Sequence, residues 1–140
     1  MSRSIEDARR VLDAQPFSRL VRAEMTQYTT QVVELRVPIT EQIQQQHGFV
    51  HGGVVSHLAD NALTFAGGMA LGPGVVTSEY KINYVRPAVG DFLAARATAV
   101  HAGRTQAVCR CDVYAVSDGT EKLCAVAQGT IALMGARKTD

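Results

Sequence analysis

The sequence predicts an α+β domain in which one long helix packs against an antiparallel sheet. Three observations carry the prediction. From His51 to about Ala70 the apolar residues recur at helical spacing. Four segments in the second half of the chain read as strands. Tight turns, Ala102-Gly103-Arg104 and Ser117-Asp118-Gly119-Thr120, join most of them, which makes neighbours antiparallel.

In chain order, Ser4-Ile5-Glu6-Asp7 is a helix start, with Ser4 as N-cap and acids in the first turn. Ile5, Ala8, Val11 and Leu12 follow at helical spacing. Pro16 interrupts, and Phe17, Leu20 and Val21 suggest a second short piece, so residues 1–22 form an N-terminal helical segment. Between Met25 and Val37, Val33, Leu35 and Val37 alternate with Glu34 and Arg36, the pattern of one half-buried strand that Pro38 ends. A polar stretch, Thr40 to Gln46, leads to the long helix. Beyond it, Val76, Tyr80, Ile82 and Tyr84 are expected on one strand face, with Thr77, Glu79, Lys81 and Asn83 on the other. Leu93, Ala95, Ala97 and Ala99 mark the next strand, and Ala107, Cys109, Cys111, Val113 and Ala115 the one after. Leu123 to Met134 is apolar on both faces and reads as central.

The 140 residues argue for a single domain over 1–140. A composition of 46% hydrophobic and 19% charged residues is globular and excludes a disordered or fibrous chain. Lys plus Arg number 14 against 13 Asp plus Glu, so no basic excess advertises nucleic acid or an anionic membrane. No apolar run approaches the ~18 residues of a transmembrane helix. The opening MSRSIEDARR has no apolar stretch of the kind a signal peptide needs. Three cysteines, an odd count without a secretion signal, point to a reduced, cytoplasmic protein. Cys109-Arg110-Cys111 lacks zinc-site spacing and reads as two small residues on a buried strand face, so no metal is expected.

The long helix carries the candidate chemistry. Val54, Val55, Leu58, Ala59, Ala62, Phe65, Ala66 and Met69 form a broad arc that should face the sheet. The opposite arc holds Gly53, Ser56, Asp60, Thr64 and Gly67. A solvated helix face normally carries long charged side chains. Here the residues are small, which permits close approach of a partner helix or a ligand. Asp60 is the only charged residue between Gln46 and Glu79. An acid on such a surface is costly unless it is hydrogen-bonded or does chemistry. Gly52 and Gly53 stand where the helix begins and leave its unpaired N–H groups uncovered. Those groups and the helix dipole suit a developing oxyanion. Eight residues separate Gly52 from Asp60, about 12 Å along the axis, too far for both to touch one carbonyl. A two-fold dimer brings each helix start beside the other chain's Asp60, so composite sites in an obligate homodimer are expected.

Gly48-Phe49-Val50-His51-Gly52-Gly53, followed by Leu58-Ala59-Asp60, resembles the hotdog-fold acyl-CoA thioesterases of the phenylacetate-pathway (PaaI) type. The run Thr77 to Pro87, then Gly90-Asp91 and Gly103-Arg104, continues the resemblance, which spans about Val33 to Met134. It implies a curved antiparallel sheet around one long helix, hydrolysis of acyl-CoA thioesters, and no metal or other cofactor. It implies Asp60 as general base or nucleophile and the Gly52 N–H, beside Gly53, as the group that polarises the thioester carbonyl. Thr77 matches a Ser or Thr position that helps place the attacking water. Gln45 falls where the family often has Asn, and offers the same amide one methylene further out. His51 matches a loop-ordering hydrogen-bonder and, with Gly53, a substrate-binding position, while His47 and His57 match no catalytic role. Arg86 and Arg104 are the candidate contacts to the CoA phosphates. The family often pairs its dimers into tetramers. Phe49, Phe65, Tyr80 and Tyr84 suit an aryl or a short- to medium-chain acyl group. Two other readings stand beside this one: a hotdog enoyl-CoA hydratase or dehydratase, and a non-catalytic acyl-CoA-binding module.

Overall fold

The computed structural model describes residues 4–135, so the outermost ends of the expected 1–140 domain lie outside them. Helix α1 (Ile5–Asp13) starts as the sequence predicts: the Asp7 N–H donates to Ser4 Oγ at 3.1 Å. Helix α2 (Pro16–Leu20) opens on its proline. Two strands follow, β1 (Glu24–Tyr28) and β2 (Val33–Pro38), then a 3-10 turn at Glu41–Ile43. Helix α3 (Gly52–Leu71) precedes β3 (Val75–Tyr84), β4 (Phe92–Ala102), β5 (Gln106–Ser117) and β6 (Thr120–Leu133). The strands form one six-stranded sheet in the order β1-β2-β4-β5-β6-β3, antiparallel throughout. The sheet curves around α3, which packs on β2, β4, β5, β6 and β3. No described helix is long and apolar enough to cross a membrane.

The core is the contact between α3 and the inner sheet face. Leu58, Ala59, Ala62 and Leu63 are fully buried against Leu35, Leu93, Ala95, Val113 and Ile131, which are buried to the same degree. Cys109 and Cys111 lie on the buried face of β5, as expected, and burial pushes the Cys109 thiol up to about 11. Asp118 and Gly119 both take positive φ, 49° and 76°, which closes the β5–β6 hairpin with the twist that Asp-Gly favours.

Four details depart from the sequence reading. Where one strand was expected between Met25 and Val37, there are two, joined by a turn in which Thr29 Oγ1 accepts from the N–H groups of Gln31 and Val32. Glu34, expected on a wet face, is fully buried. Its carboxylate accepts from Arg96 Nε at 2.6 Å, Arg36 Nε at 2.9 Å and Thr26 Oγ1 at 2.5 Å. Burial pushes its pKa up, but those donors outweigh burial and hold it below the ordinary carboxylate value. Part of the small-residue arc of α3 lies on its own sheet: Ser56 meets Tyr80, Thr64 meets Thr77 and Gly67 meets Ile131, while Gly53 is exposed. A Cβ at Gly67 would sit 2.5 Å from Ile131 Cβ. Finally, β3 does not alternate strictly. A bulge between Thr77 and Glu79 shifts the register, so Thr77 pairs with Ile131 and Tyr80 with Gly129, and both turn inward. Val76 is 42% exposed instead.

Candidate active site

Three residues of α3 and β3 meet over the bulge. Thr77 Oγ1 donates to Asp60 Oδ1 at 2.6 Å. Thr64, one helical turn beyond Asp60, donates its hydroxyl to the Asp60 carbonyl at 2.8 Å and lies 2.9 Å from Thr77 Oγ1. An ionised carboxylate only accepts, so Thr77 must spend its one proton on Asp60. The bulge is what makes this possible, because it lets Thr77 and Tyr80 share a face. Thr64 was not among the expected site residues. It stood on the same small arc as Asp60, and its four-residue spacing was the available signal.

Two further contacts fasten α3 to β3. Ser56 Oγ and Tyr80 Oη are 2.5 Å apart, and Tyr84 Oη donates to the Gly52 carbonyl at 3.2 Å. His57, on the next face, is half-buried with Phe17 edge-on at 4.6 Å. Burial pushes its pKa down, partly offset by the charge of Asp60.

The start of α3 carries the other candidate group. His51 is the N-cap: its Nδ1 accepts from the Gly53 N–H at 2.8 Å, and its carbonyl accepts from Val54 and Val55 at 3.0 and 3.4 Å. That is the loop-ordering part assigned to His51. It also means the Gly53 N–H is engaged, which leaves Gly52 as the first-turn N–H without a partner among the described residues. Gly53 is small for a local reason, since a Cβ there would lie 2.9 Å from His51 Nδ1.

Gly52 lines a cavity of about 370 Å³ together with Gln45, Phe49, Tyr84, Arg86 and Cys124. Gln45 Oε1 accepts from the His47 N–H, which leaves its NH₂ group as the free donor. Gln45, Gly52 and Arg86 therefore share one site, and Asp60, Thr64 and Thr77 another. Arg104 lies apart from the site of Gln45, Gly52 and Arg86. Its turn lies beside the start of β3, where the Leu133 N–H donates to the Thr105 carbonyl and Leu133 pairs with Val75. Arg86 follows the other end of β3, about 30 Å away at 3.3 Å per residue. The four aromatics also separate. Phe49 and Tyr84 stand at the Gly52 cavity, Tyr80 on Ser56, and Phe65 edge-on to Tyr28 at 6.5 Å.

A lone carboxylate held by a strand hydroxyl, and an uncovered N–H at a helix start, are the parts of acyl transfer. Comparison with known proteins identifies the family. The sequence model of the thioesterase superfamily matches residues 47–122, more than half of the chain and all of α3. The chain belongs to the thioesterase superfamily. A 1,4-dihydroxy-2-naphthoyl-CoA hydrolase of Listeria monocytogenes is 31% identical over 109 residues, 76% of this chain and 85% of that protein. A thioesterase family protein from Silicibacter pomeroyi superposes with a TM-score of 0.84 at 33% identity, covering 91% of this chain and 93% of that one. The E. coli PaaI protein of the phenylacetic acid degradation operon shares the fold, with a TM-score of 0.80 at 23% identity, over 93% of this chain and 92% of its own. The architecture is thus the hotdog fold of this superfamily, and the enzyme class is thioester hydrolase.

Proposed function

We propose that this thioesterase hydrolyses the thioester of an aryl- or short- to medium-chain acyl-CoA, with Asp60 as the catalytic carboxylate and the Gly52 N–H as the oxyanion donor. The observation that carries the reading is the 2.6 Å hydrogen bond from Thr77 to Asp60, which orients a lone carboxylate over a surface of small residues. The thioester oxygen rests on Gly52 N–H at the positive end of α3. Asp60 takes a proton from water as the water attacks the carbonyl carbon. The tetrahedral oxyanion collapses, the C–S bond breaks, and CoA leaves as the thiol with the proton held by Asp60. Attack by the carboxylate itself would form an anhydride that water then opens. Label carried into Asp60 from isotope-labelled water in a single turnover identifies the anhydride route with water opening at the aspartyl carbonyl, whereas direct water attack labels only the released acid. The Gln45 NH₂ donates near the carbonyl, and Arg86 meets a CoA phosphate.

Gly52 and Asp60 are two helical turns apart, so we infer composite sites in a homodimer, each with one residue from each chain. The open edge of β3 supports this. β3 pairs only with β6 among the described strands, and its ten residues leave a row of backbone groups free to pair with a second copy. Two such dimers could pair into a tetramer.

The test is thiol release from phenylacetyl-, benzoyl-, hexanoyl- and decanoyl-CoA by wild type and Asp60→Asn. A loss of about 10²-fold or more is expected with the fold intact. Mixing refolded Asp60→Asn with Gly52→Pro subunits tests the sharing. Half the dimers are then mixed and each holds one intact site, so about a quarter of wild-type activity should return. No recovery would place both groups in one chain's site.

A further inference from the structure

Helix α2 is five residues long and buries only Ser18; Phe17 is 47% and Leu20 75% exposed. A helix this short has little stability of its own, so its hold on α3 decides whether it stays folded there. Two residues of α3, one helical turn apart, provide that hold. Asn61 is buried, and its Nδ2 donates to Gln15 Oε1 and Ser18 Oγ, both at 3.1 Å. Ser18 Oγ in turn donates to Gln15 Oε1 at 2.6 Å. This knot is neutral and satisfied. The second fastening is not. His57 meets the Phe17 ring edge-on, with the centroids 4.6 Å apart, and its Nε2 is buried without a hydrogen-bond partner. It is the one such side-chain atom among the described residues. A neutral imidazole can keep its proton on Nδ1 and leave Nε2 a bare lone pair. An imidazolium has an N–H on both nitrogens, so protonation would bury a charged donor with nothing to accept from it. The charged side chains of α2 and its end give no relief: Arg19 is turned to the Asp13 carbonyl, and Arg22 lines the groove beside Phe17. On α3 itself, Asp60 acts on His57 from three residues away, and its carboxylate already accepts from Thr77.

We propose that His57 and Phe17 form an acid-released latch: neutral His57 keeps α2, and α1 behind it, on the helix that carries Asp60, and protonated His57 lets them lift. The direction follows from the two states. Released, His57 has its ordinary value of 6.5; docked, burial holds it lower, and the Asp60 charge offsets only part of that. The docked state therefore has its full stability above pH 6.5. It weakens as pH falls below that value and stops weakening once the docked imidazole is protonated too. The opening equilibrium should rise by up to about tenfold between pH 7.5 and 5.5. The other three histidines stand elsewhere: His47 stacks on Phe49, His51 caps α3, and His101 lies near the end of β4. Release would reach the candidate site. Ala8 and Val11 of α1 wall a cavity of about 350 Å³ that Thr64 also lines, and Thr64 touches both Asp60 and Thr77.

The experiment is amide hydrogen exchange of the full chain at pH 7.5 and 5.5, corrected for the intrinsic rates at each pH. It needs no substrate, so it stands apart from the hydrolytic reading. In wild type, the amides of α1 and α2 should exchange up to about tenfold faster at pH 5.5, while those of β4 and β5 hold. His57→Phe keeps a ring against Phe17 and has no proton to take up, so the step between the two pH values should vanish. Phe17→Ala removes the cover, so α1 and α2 should exchange fast at both pH values. The latch is overturned if wild type shows no step, if β4 and β5 loosen together with α1 and α2, or if His57→Phe keeps the whole step. Should His57→Phe fail to fold, Phe17→Ala decides: fast exchange at pH 7.5 with the step lost supports the latch, and an undiminished step overturns it.

Discussion

Gly52→Pro removes a single hydrogen-bond donor and little else. Gly52 is the first residue of α3, the position at which proline is most at home in a helix. The residue before a proline must be extended, and His51 already is, with φ −59° and ψ 131°. The Gly52 N–H makes no bond among the described residues, so folding loses none of those. A Cβ at this position meets the Tyr84 ring at 3.6 Å, ordinary contact distance. Fold and helix content should therefore survive. Catalysis should not, because the N–H is the proposed oxyanion donor. Loss of one such donor costs about 10²–10³-fold in kcat, or roughly 3–4 kcal/mol. Gly52→Ala is the control: it adds the same Cβ, keeps the N–H and should stay within about threefold of wild type. The assay is kcat from thiol release, with circular dichroism confirming α3. A folded Gly52→Pro protein with wild-type kcat would refute the oxyanion assignment, as would an alanine variant equally impaired.

Thr77→Val keeps the shape of the side chain but withdraws the proton given to Asp60; a hydrogen bond to a charged group is worth about 1.5–3 kcal/mol, so kcat should fall roughly 10- to 100-fold while Thr77→Ser retains it. Steady-state kinetics on the two variants decide this, and a fully active valine variant would exclude the hydroxyl. In Gly129→Ala the new Cβ would lie 2.5 Å from the Glu79 carbonyl oxygen and 2.6 Å from Tyr80 Cβ, so β3 must shift at its bulge. We expect a stability loss of about 1–3 kcal/mol together with a fall in kcat, read by thermal melts and turnover; an unchanged protein would show that the bulge tolerates the methyl group. Glu34→Gln should cost about 2 kcal/mol at neutral pH, discounted for the solvent access of Arg36 and Arg96. Because the folded pKa of Glu34 is lowered, its contribution is full above the ordinary value of 4.5 and disappears as pH falls through the folded value, so urea melts should show the two proteins converging in acid.

Much of this fold was legible because its signals are local. The long helix declares itself by periodicity, β5 by strict alternation of Ala107, Cys109, Cys111, Val113 and Ala115, and the last hairpin by Asp118-Gly119. β1 was missed because Met25 is its only buried residue, which leaves no alternation to read. The bulge in β3 was invisible for a different reason. An extra residue exists only relative to a partner strand, and β3 pairs with a strand about fifty residues away. That one irregularity decides which way Thr77 points. Glu34 misled because a buried carboxylate needs Arg96, which arrives from β4. In the candidate site, Asp60 and Gly52 stood out from their own surroundings, whereas the places of Gln45 and Thr77 came from resemblance. Arg86 and Arg104 looked equivalent in sequence, and only the sheet separates them.

Three glycines shape the candidate site, and they do so by different means. Gly52 leaves an N–H uncovered at a helix start. Gly67 lets α3 descend onto Ile131, the residue paired with Thr77. Gly129 leaves room for the β3 bulge, so that Thr77 and Tyr80 both turn inward. Gly67 and Gly129 give up side-chain burial, which stabilises most cores, for a close approach that a Cβ would obstruct. Asp60 and Thr77 are then held at 2.6 Å by packing depth on one side and strand geometry on the other. The Gly67 contact lies against β6 and the Gly129 contact between β6 and β3, on the side of β3 away from its open edge. A second chain pairing along that edge would therefore meet a carboxylate already oriented by its own chain. Under the composite-site reading, dimerisation supplies the oxyanion donor but has no need to build the base.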